Sequence, residues 1–544
     1  MKNEVWCVPL GADMALITAP FHGISTIVNA AMAEIVFRCL EDESEPVPEN
    51  ADWIHTLRRP GSRPGRRRGA LAPLFLGLIP TRSCMMRCAY CDFVAQQSHP
   101  LMSFERIRQA ADGYAELLRE KPEAEWNMHF FGGEPFAAFK EIVFAVNYAR
   151  RKAAETGIPT HFEVTTNGCY PAEQCRWIAE YFDKVVLSLD GFPEIQNRHR
   201  PGPGGSDSFE AVCRSADIFS RGSAELIIRS CVSAESVDSL QDWADLIADR
   251  WAPEAVCFEP MIESALARRN GLVPPGPLRF ARRWAEAAER LKRKQIRLVY
   301  SSGDISAVRN SLCPMGRDAL IVSPEGQIGS CWQLAENQIA GGIDLRFGTV
   351  GPGGFQIDMD RLEMQRAQSE ANRESCRGCF CYPWCAGGCM LARENKRDFC
   401  LMTKILTLWQ LLDRLSFMPL LDGILEDEQF AERLAETEDF RKWIPDFPEI
   451  LRTEDPSEPT GTAPEEDREQ VPRGTAEVPG LHALPGDALR GWVRDGDRVI
   501  VAEPLKNRLD VLEGREALRF QLEHCGMNEA DIEAVWEALS GGKS

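Results

Sequence analysis

Cys84-Met-Met-Arg-Cys88-Ala-Tyr-Cys91 places three cysteines within eight residues, directly after the apolar run Leu74-Phe-Leu-Gly-Leu-Ile-Pro. A [4Fe–4S] cluster normally takes four thiolates. A loop that offers only three at this tight spacing leaves one iron open for another ligand. Zinc is the alternative, but zinc sites usually combine C-x2-C pairs, and no fourth cysteine or histidine follows before His99.

Composition narrows the classes of protein. At 544 residues the chain exceeds one compact domain, and its net charge of −20 argues against nucleic acid as a partner. No run of apolar residues reaches the length of a membrane span, and Met1-Lys-Asn-Glu-Val-Trp does not begin a signal peptide. We therefore predict a cytoplasmic protein with no membrane partner. In a reducing cytosol, its 19 cysteines are more readily metal ligands than disulfides.

Between residues 74 and 294, strand-like runs alternate with amphipathic helical runs. This alternation predicts a parallel sheet with helical crossovers. In such folds the chemistry collects where the strands end. The predicted strands are 74–80, 126–131, 160–166, 184–189, 224–230 and 255–260.

Unusual residues follow the first four of these strands. The cysteine loop follows the first, and Gly132-Gly-Glu134-Pro135 follows the second. Thr166-Asn167-Gly168 follows the third, and Asp190-Gly191 follows the fourth. Because carboxyl ends of parallel strands share one edge, we expect these residues to meet there.

The C-x3-C-x2-C loop and the Gly-Gly-Glu-Pro segment together resemble the radical S-adenosylmethionine (SAM) superfamily. The resemblance implies a partial (β/α)6 TIM-type barrel. It also implies that Cys84, Cys88 and Cys91 hold a [4Fe–4S] cluster whose open iron chelates SAM. One electron from that cluster then cleaves SAM to a 5′-deoxyadenosyl radical, which abstracts hydrogen. The residues that the resemblance places around SAM are Tyr90, Gly132, Gly133, Glu134, Asn167, Ser188 and Arg200.

A second cysteine field, residues 313–400, resembles the SPASM extension of radical SAM enzymes, which carries two auxiliary [4Fe–4S] clusters. By this resemblance Cys376, Cys379, Cys385 and Cys400 ligate the distal cluster. The nearer cluster takes Cys313, Cys331 and Cys389 and lacks a fourth ligand, for which Cys381 is a candidate. A structural zinc ribbon is the alternative for this field.

Most enzymes of this type modify peptides, so we predict a maturase that forms a C–C, thioether or related crosslink in a ribosomally made precursor. Its partners would be the precursor peptide and a one-electron reductant such as flavodoxin or ferredoxin. Cys169 is a candidate hydrogen donor. Segment 190–200 resembles one in peptide maturases that commonly has His-Asp where this chain has Gln196-Asn197, so an acid–base role there is not predicted.

Three other functions stay open, of which a zinc-binding interaction protein is one. Sulfatase-type maturases, which make formylglycine, resemble this chain over the same span. They place an acidic residue that serves as a base where Trp332 follows Cys331, which disfavours that function. A non-catalytic iron–sulfur electron carrier or sensor is the third.

Six segments are predicted along the chain. Residues 421–470 carry 17 acidic and five basic side chains, which is typical of a disordered linker. The segments are an N-terminal α/β element with a possible role in precursor recognition (1–57, with a helix from about Ser25 to Cys39), a solvated Arg/Pro/Gly linker (58–72), the partial barrel (73–300), the SPASM region (301–410), a helical then acidic linker (411–480) and a small helical appendage (481–544).

Overall fold

The structure is a computed structural model in which the chain forms two compact units, residues 1–450 and 451–544. No helix in its described part is both long enough and apolar enough to cross a membrane. The residues described are 4–11, 14–65, 68–91, 100–119, 125–314, 319–334, 339–340, 343–389, 396–417, 433–434, 482–483, 491–495, 498–503 and 508–540.

The N-terminal element is a three-stranded antiparallel sheet followed by two helices. Its elements in chain order are Trp6–Gly11 (β1), Met14–Ala19 (β2), Ile24–Asn29 (β3), Ala30–Glu41 (α1) and Trp53–Leu57 (α2). The prediction of a helix from Ser25 is wrong, because the β-branched run Ile24-Ser-Thr-Ile-Val28 pairs with β2 instead. The helix begins only after Asn29, whose side chain accepts a hydrogen bond from the Met32 amide at 2.9 Å.

Eight parallel strands form the main sheet, and the six predicted strands are all among them. In chain order the strands are Phe75–Leu78 (β4), Trp126–Phe130 (β5), Thr160–Thr166 (β6), Lys184–Ser188 (β7), Glu225–Val232 (β8), Ala255–Pro260 (β9), Arg297–Val299 (β10) and Ala319–Val322 (β11). The helices are Phe104–Arg119 (α3), Phe139–Thr156 (α4), Ala172–Tyr181 (α5), Pro193–His199 (α6), Phe209–Phe219 (α7), Leu240–Arg250 (α8), Ala265–Arg269 (α9) and Pro277–Arg293 (α10). The spatial order runs from β10 through β9 to β4 and then β11, an α/β arrangement that the sequence predicted as a partial barrel.

The two faces of this sheet differ. On β8, Ser230 faces the helices, since Trp243 of α8 donates its indole N–H to the Ser230 hydroxyl at 3.1 Å. Side chains alternate along a strand, so Arg229 and Cys231 lie on the opposite face, which we call the inner face. Strand pairing places Ser188 beside Arg229 and Glu259 beside Cys231 on that same face.

The second cysteine field continues the sheet. From β11, three antiparallel strands extend it at the β4 edge, and a separate two-stranded ribbon lies between them in sequence. The elements are Gln327–Gly329 (β12), Ile339–Ala340 (β13), Ile343–Asp344 (β14), Arg346–Gly351 (β15), Gly354–Ile357 (β16), Met359–Glu374 (α11), Tyr382–Cys385 (α12) and Lys396–Arg414 (α13). The predicted acidic linker lies outside the described residues beyond 417, apart from 433–434.

The Arg/Pro/Gly segment after residue 57 is mostly exposed, but two of its arginines make specific contacts. Arg58 donates to the carbonyl oxygens of Cys39 and Glu45 at 3.0 and 2.8 Å. Arg63 pairs with the buried carboxylate of Glu4 at 2.6 Å. These contacts tie Arg58 and Arg63 to the N-terminal element, while the exposure of the segment agrees with a solvated surface.

The second unit contains strands as well as helices, which corrects the prediction of a helical appendage. Its described elements are His482–Ala483 (β17), Gly491–Asp495 (β18), Arg498–Glu503 (β19), Arg508–Glu513 (β20), Gly514–His524 (α14) and Glu529–Ser540 (α15). The alternating run Arg498-Val-Ile-Val-Ala-Glu503 pairs on both sides, as period-two patterns do. Asn528 caps the last helix, since its side chain accepts from the Asp531 amide at 3.0 Å.

Candidate functional site

The three-cysteine loop follows β4, at the edge where the parallel strands end. Its backbone is held by the region after β7, because the amides of Arg87 and Ala89 donate to the carbonyl oxygens of Pro201 and His199 at 3.1 and 2.8 Å. Burial raises the pKa of Cys84 to about 12 and that of Cys88 to about 11. The charges of Cys88 and Cys91 raise the pKa of Cys84 further, and that of Cys91 does the same for Cys88, although Arg200 opposes it there. Bound iron would favour their thiolate forms.

The Gly132-Gly-Glu134 segment packs directly on the backbone that leads into this loop. The amides of Gly133 and Glu134 donate to the carbonyl oxygens of Thr81 and Ser83 at 3.1 and 2.8 Å. A Cβ on Gly132 would lie 2.5 Å from the Thr81 carbonyl oxygen, and its φ of 151° is also unfavourable for other residues. Only glycines therefore allow the second strand end to approach the cysteine loop this closely.

Glu134 is a buried carboxylate held in one orientation. It accepts hydrogen bonds from the Thr166 hydroxyl at 2.7 Å, the Asn167 amide at 2.8 Å and the Phe136 amide at 3.1 Å. Burial raises its pKa to about 7, although these hydrogen bonds act in the opposite direction. A bound ammonium group would compensate this desolvated charge. The site therefore fits the amino group of SAM.

Asn167 links the third strand end to the cysteine loop. Its side-chain amide lies 3.6 Å from the sulfurs of Cys84 and Met85. Its oxygen accepts from the Cys169 amide at 2.8 Å, which places Cys169 just behind it with a partly buried thiol. The structure thus brings Glu134, Asn167 and the cysteine loop together.

Tyr90 is part of a buried polar network at the ends of β7 and β8. Its hydroxyl donates to the Asp190 carboxylate at 2.7 Å and accepts from the Arg200 guanidinium at 2.7 Å. Asp190 also accepts from the Cys231 amide at 3.1 Å. Although burial opposes its charge, Arg200 and His199 keep the pKa of Asp190 below its ordinary value. Tyr90, Asp190 and Arg200 therefore anchor the cysteine loop to the sheet.

Ser188 lies on the inner face beside Arg229, a residue that sequence reasoning missed. The Arg229 side chain is exposed on the inner face. No local motif marks it, because it is one of two charged residues in an ordinary strand. Only the strand register could have located it, because Ser188 belongs to a recognisable segment and Arg229 is its partner on the next strand.

Gln196 and Asn197 have structural partners. Gln196 accepts from the Asp190 amide at 2.9 Å and donates to the Ser208 hydroxyl at 3.2 Å. Asn197 accepts from the amides of Ser208 and Phe209, both at 2.9 Å. These bonds tie the segment after β7 to the start of α7.

In the second field, a cavity of about 350 Å³ is lined by several cysteines. Burial raises the pKa of Cys385, with further increases from the charges of its cysteine neighbours, so these sulfurs share one volume. Cys381 also borders the cavity, but it is buried and its thiol lies 3.8 Å from the Thr403 carbonyl oxygen. The four cysteines predicted for the distal cluster all line this cavity: Cys376, Cys379, Cys385 and Cys400.

The remaining three predicted ligands are only partly separate, because Cys389 also lines this cavity whereas Cys313 and Cys331 do not. Burial raises the pKa of Cys331 to about 12, and the charges of Cys313 and Cys389 act in the same direction. Within the described ranges, no three His, Cys, Asp or Glu side chains are close enough to hold a single metal ion. A cubane makes a different demand, because each thiolate binds its own iron. The four distal ligands share one cavity with Cys381 and Cys389, and the division of the cysteines between two clusters stays a prediction.

Trp332 reaches from the second field onto the inner face. A Cβ on Gly77 of β4 would lie 2.7 Å from the Trp332 ring. The ring stacks on Phe75 with centroids 6.2 Å apart and packs on Phe131 at 5.4 Å. The residue after Cys331 therefore lies against the inner face of the sheet, and in this chain that residue is an aromatic ring.

Residues 78–228 match the model of the radical SAM superfamily. This span includes the cysteine loop, the Gly-Gly-Glu segment and all or part of five parallel strands. The fold, the site and this match define a radical SAM domain.

Curated relatives and solved structures are similar over a wider span. The cysteine-type anaerobic sulfatase-maturating enzyme of Clostridium perfringens strain 13 is 22% identical over 352 residues, which cover 60% of this chain and 92% of the relative. The serine-type enzyme of Klebsiella aerogenes is 23% identical over 56% of this chain and 77% of the relative. The structure of native anSMEcpe with bound AdoMet and Cp18Cys peptide gives a TM-score of 0.49 at 19% identity, covering 63% of this chain and 98% of that one. Streptococcus suis SuiB bound to precursor peptide SuiA gives 0.41 at 13%, covering 71% and 94%.

Proposed function

We propose that this protein is a radical SAM maturase that installs a crosslink in a ribosomally made precursor peptide. The observation that carries this proposal is the contact between the three-cysteine loop and the buried Glu134, which Gly132 and Gly133 make possible. Relatives named as maturating enzymes support a peptide or protein substrate.

The chain's own residues would hold the cofactors. Cys84, Cys88 and Cys91 would bind one [4Fe–4S] cluster, and Glu134 would accept a hydrogen bond from the SAM ammonium. Arg229, on the inner face, could pair with a carboxylate of SAM or substrate. When bound, the cluster and SAM supply a 5′-deoxyadenosyl radical that removes a hydrogen atom. The two further cysteine groups would hold auxiliary clusters.

Formylglycine formation is the second candidate, favoured by the relatives' names. Trp332 opposes it. An acidic residue after Cys331 would face the interior of the sheet and could accept a proton there, whereas the indole ring stacks on Phe75 and has no basic group. We therefore place crosslink formation first.

The N-terminal element would recognise the precursor. Trp6 and Phe21 pack on the Tyr382 ring, with centroids 6.2 and 6.4 Å apart. Arg377 lies 3.6 Å from Glu4. A peptide bound to this element would thus be held beside the distal cysteine group. The proposed protein is cytoplasmic, takes its electrons from a flavodoxin or ferredoxin, and binds neither nucleic acid nor membrane.

Anaerobic reconstitution tests this function. We expect about twelve irons per chain for three cubanes, and 5′-deoxyadenosine release after reduction with SAM. The variant with Cys84, Cys88 and Cys91 all changed to Ala should lose this product. If the variant released it undiminished, or if the protein purified with zinc, the proposal would be wrong.

A second experiment separates the two candidates. The protein is coexpressed with each short peptide that the neighbouring open reading frames encode, and the peptides are examined by mass spectrometry. A crosslink gives fragments that stay joined after backbone cleavage, and it does not react with a hydrazide probe. Capture of an aldehyde by the hydrazide would favour formylglycine instead.

A further inference from the structure

We propose that Glu259, on the inner face at the end of β9, is the base that takes a proton from the precursor when the new bond closes. This inference rests on the proposed function. Crosslink closure releases a proton that a base must accept. Trp332, the residue after Cys331, cannot accept it, because its indole ring has no basic group.

The Glu259 carboxylate is fixed through one oxygen and open through the other. Oε1 accepts from the Ser301 amide at 2.9 Å, from the Ser301 hydroxyl and from the Cys257 thiol at 3.3 Å. Oε2 takes no hydrogen bond from any group in the described part of the chain. Because Oε1 already satisfies three donors, the side chain keeps one orientation without using Oε2. A carboxylate held this way is preorganised to accept a proton.

Its location is next to the site. Glu259 pairs in register with Cys231, and the Cys231 amide donates to Asp190 at 3.1 Å. Asp190 in turn accepts from Tyr90 of the cysteine loop. Glu259 therefore lies one strand away from the wall on which the cysteine loop rests, on the face that also carries Arg229.

The reaction balances with Glu259 as the proton acceptor. A precursor C–H bond breaks, and its hydrogen atom passes to the carbon radical that SAM supplies, giving 5′-deoxyadenosine. An S–H or second C–H bond breaks, and its proton passes to Glu259 Oε2. The remaining electron passes to an oxidised auxiliary [4Fe–4S] cluster, and the C–S or C–C bond forms.

The test uses the reconstituted full chain and the variant Glu259→Gln. The probe is the precursor peptide that the coexpression experiment identifies. Glutamine keeps an Oε1 that accepts from Ser301 and Cys257, so the fold is retained. We expect 5′-deoxyadenosine release without peptide to equal that of the native chain. Crosslinked product should fall by about 10²–10⁴-fold, the usual contribution of a general base, while 5′-deoxyadenosine still forms with the precursor. Glu259→Asp should restore part of the rate.

Glu163→Gln is the matched control, since Glu163 is an inner-face carboxylate on β6 that lies 3.7 Å from His129 instead. It should leave product formation unchanged. A loss of 5′-deoxyadenosine in Glu259→Gln equal to the loss of product would overturn the inference, because it would indicate a structural role. Unchanged product formation in Glu259→Gln would overturn it too. If the native chain released 5′-deoxyadenosine but made no crosslink, the proposed function itself would fail, and the inference with it.

Discussion

Replacing Gly133 with Ala tests whether the close approach of the second strand end to the cysteine loop is required. The new Cβ would lie 2.6 Å from the Arg82 carbonyl carbon and would also collide with the carbonyl oxygens of Arg82 and Ser83. Cβ atoms essentially never approach another atom below 3.0 Å, so the contact with the Arg82 carbon alone requires a separation of 0.4 Å (3.0 minus 2.6), and the two nearer carbonyl oxygens require more. Overpacking of this kind costs about 1–3 kcal/mol of unfolding free energy. A displacement approaching 1 Å also costs about 10²-fold in rate.

Two measurements check this expectation. Urea unfolding gives the loss of stability, and 5′-deoxyadenosine release with SAM and dithionite gives the loss of rate in protein of matched iron content. Gly351→Ala is the control, since no atom lies within 4 Å of the position that its new methyl group would take, and it should change neither. If Gly133→Ala kept the native rate and stability, the cysteine loop would not depend on this contact and the reasoning would be refuted.

Three further predictions concern buried groups. Glu134→Gln puts an NH2 group in place of one carboxylate oxygen, so either the Asn167 amide or the Thr166 and Phe136 donors lose their acceptor. The variant should lose about 1–3 kcal/mol of unfolding free energy and bind SAM at least about tenfold more weakly in equilibrium dialysis. Native affinity would contradict the role of the carboxylate. Burial raises the pKa of Glu180 to about 8 from 4.5. Folding therefore takes up a proton between these pH values, and the stability of the protein falls as pH rises through them. Glu180→Gln should raise the urea midpoint at pH about 8 more than at pH about 5.5, and an equal effect at both would refute this. Cys385→Ala should lower the iron content by up to about four irons per chain. Cys381→Ala, which changes a buried thiol beside the same cavity, should lower it less. Equal losses of iron would contradict the predicted ligand set.

Much of the barrel was predictable because its strands are apolar runs bounded by turn residues and separated by amphipathic helices. The six predicted strands are confirmed within a few residues. β10 and β11 were missed for physical reasons. Arg297–Val299 is too short to show a period, and Ala319–Val322 lies in the second cysteine field yet pairs with β4. At the N-terminus, Ile24–Asn29 became a strand because pairing with β2 outweighed the helical pattern that follows it.

The sequence by itself determined the chemistry of the site. The spacing of Cys84, Cys88 and Cys91, the glycines before Glu134 and the division of the later cysteines are local properties, and each depends only on residue type and distance along the chain. Only the tertiary structure decided what faces that site. Strand register brings Arg229 beside Ser188 and Glu259 beside Cys231, and the second field carries Trp332 over Gly77. These contacts join residues distant in sequence, so their positions follow from packing and hydrogen bonding between strands rather than from any motif.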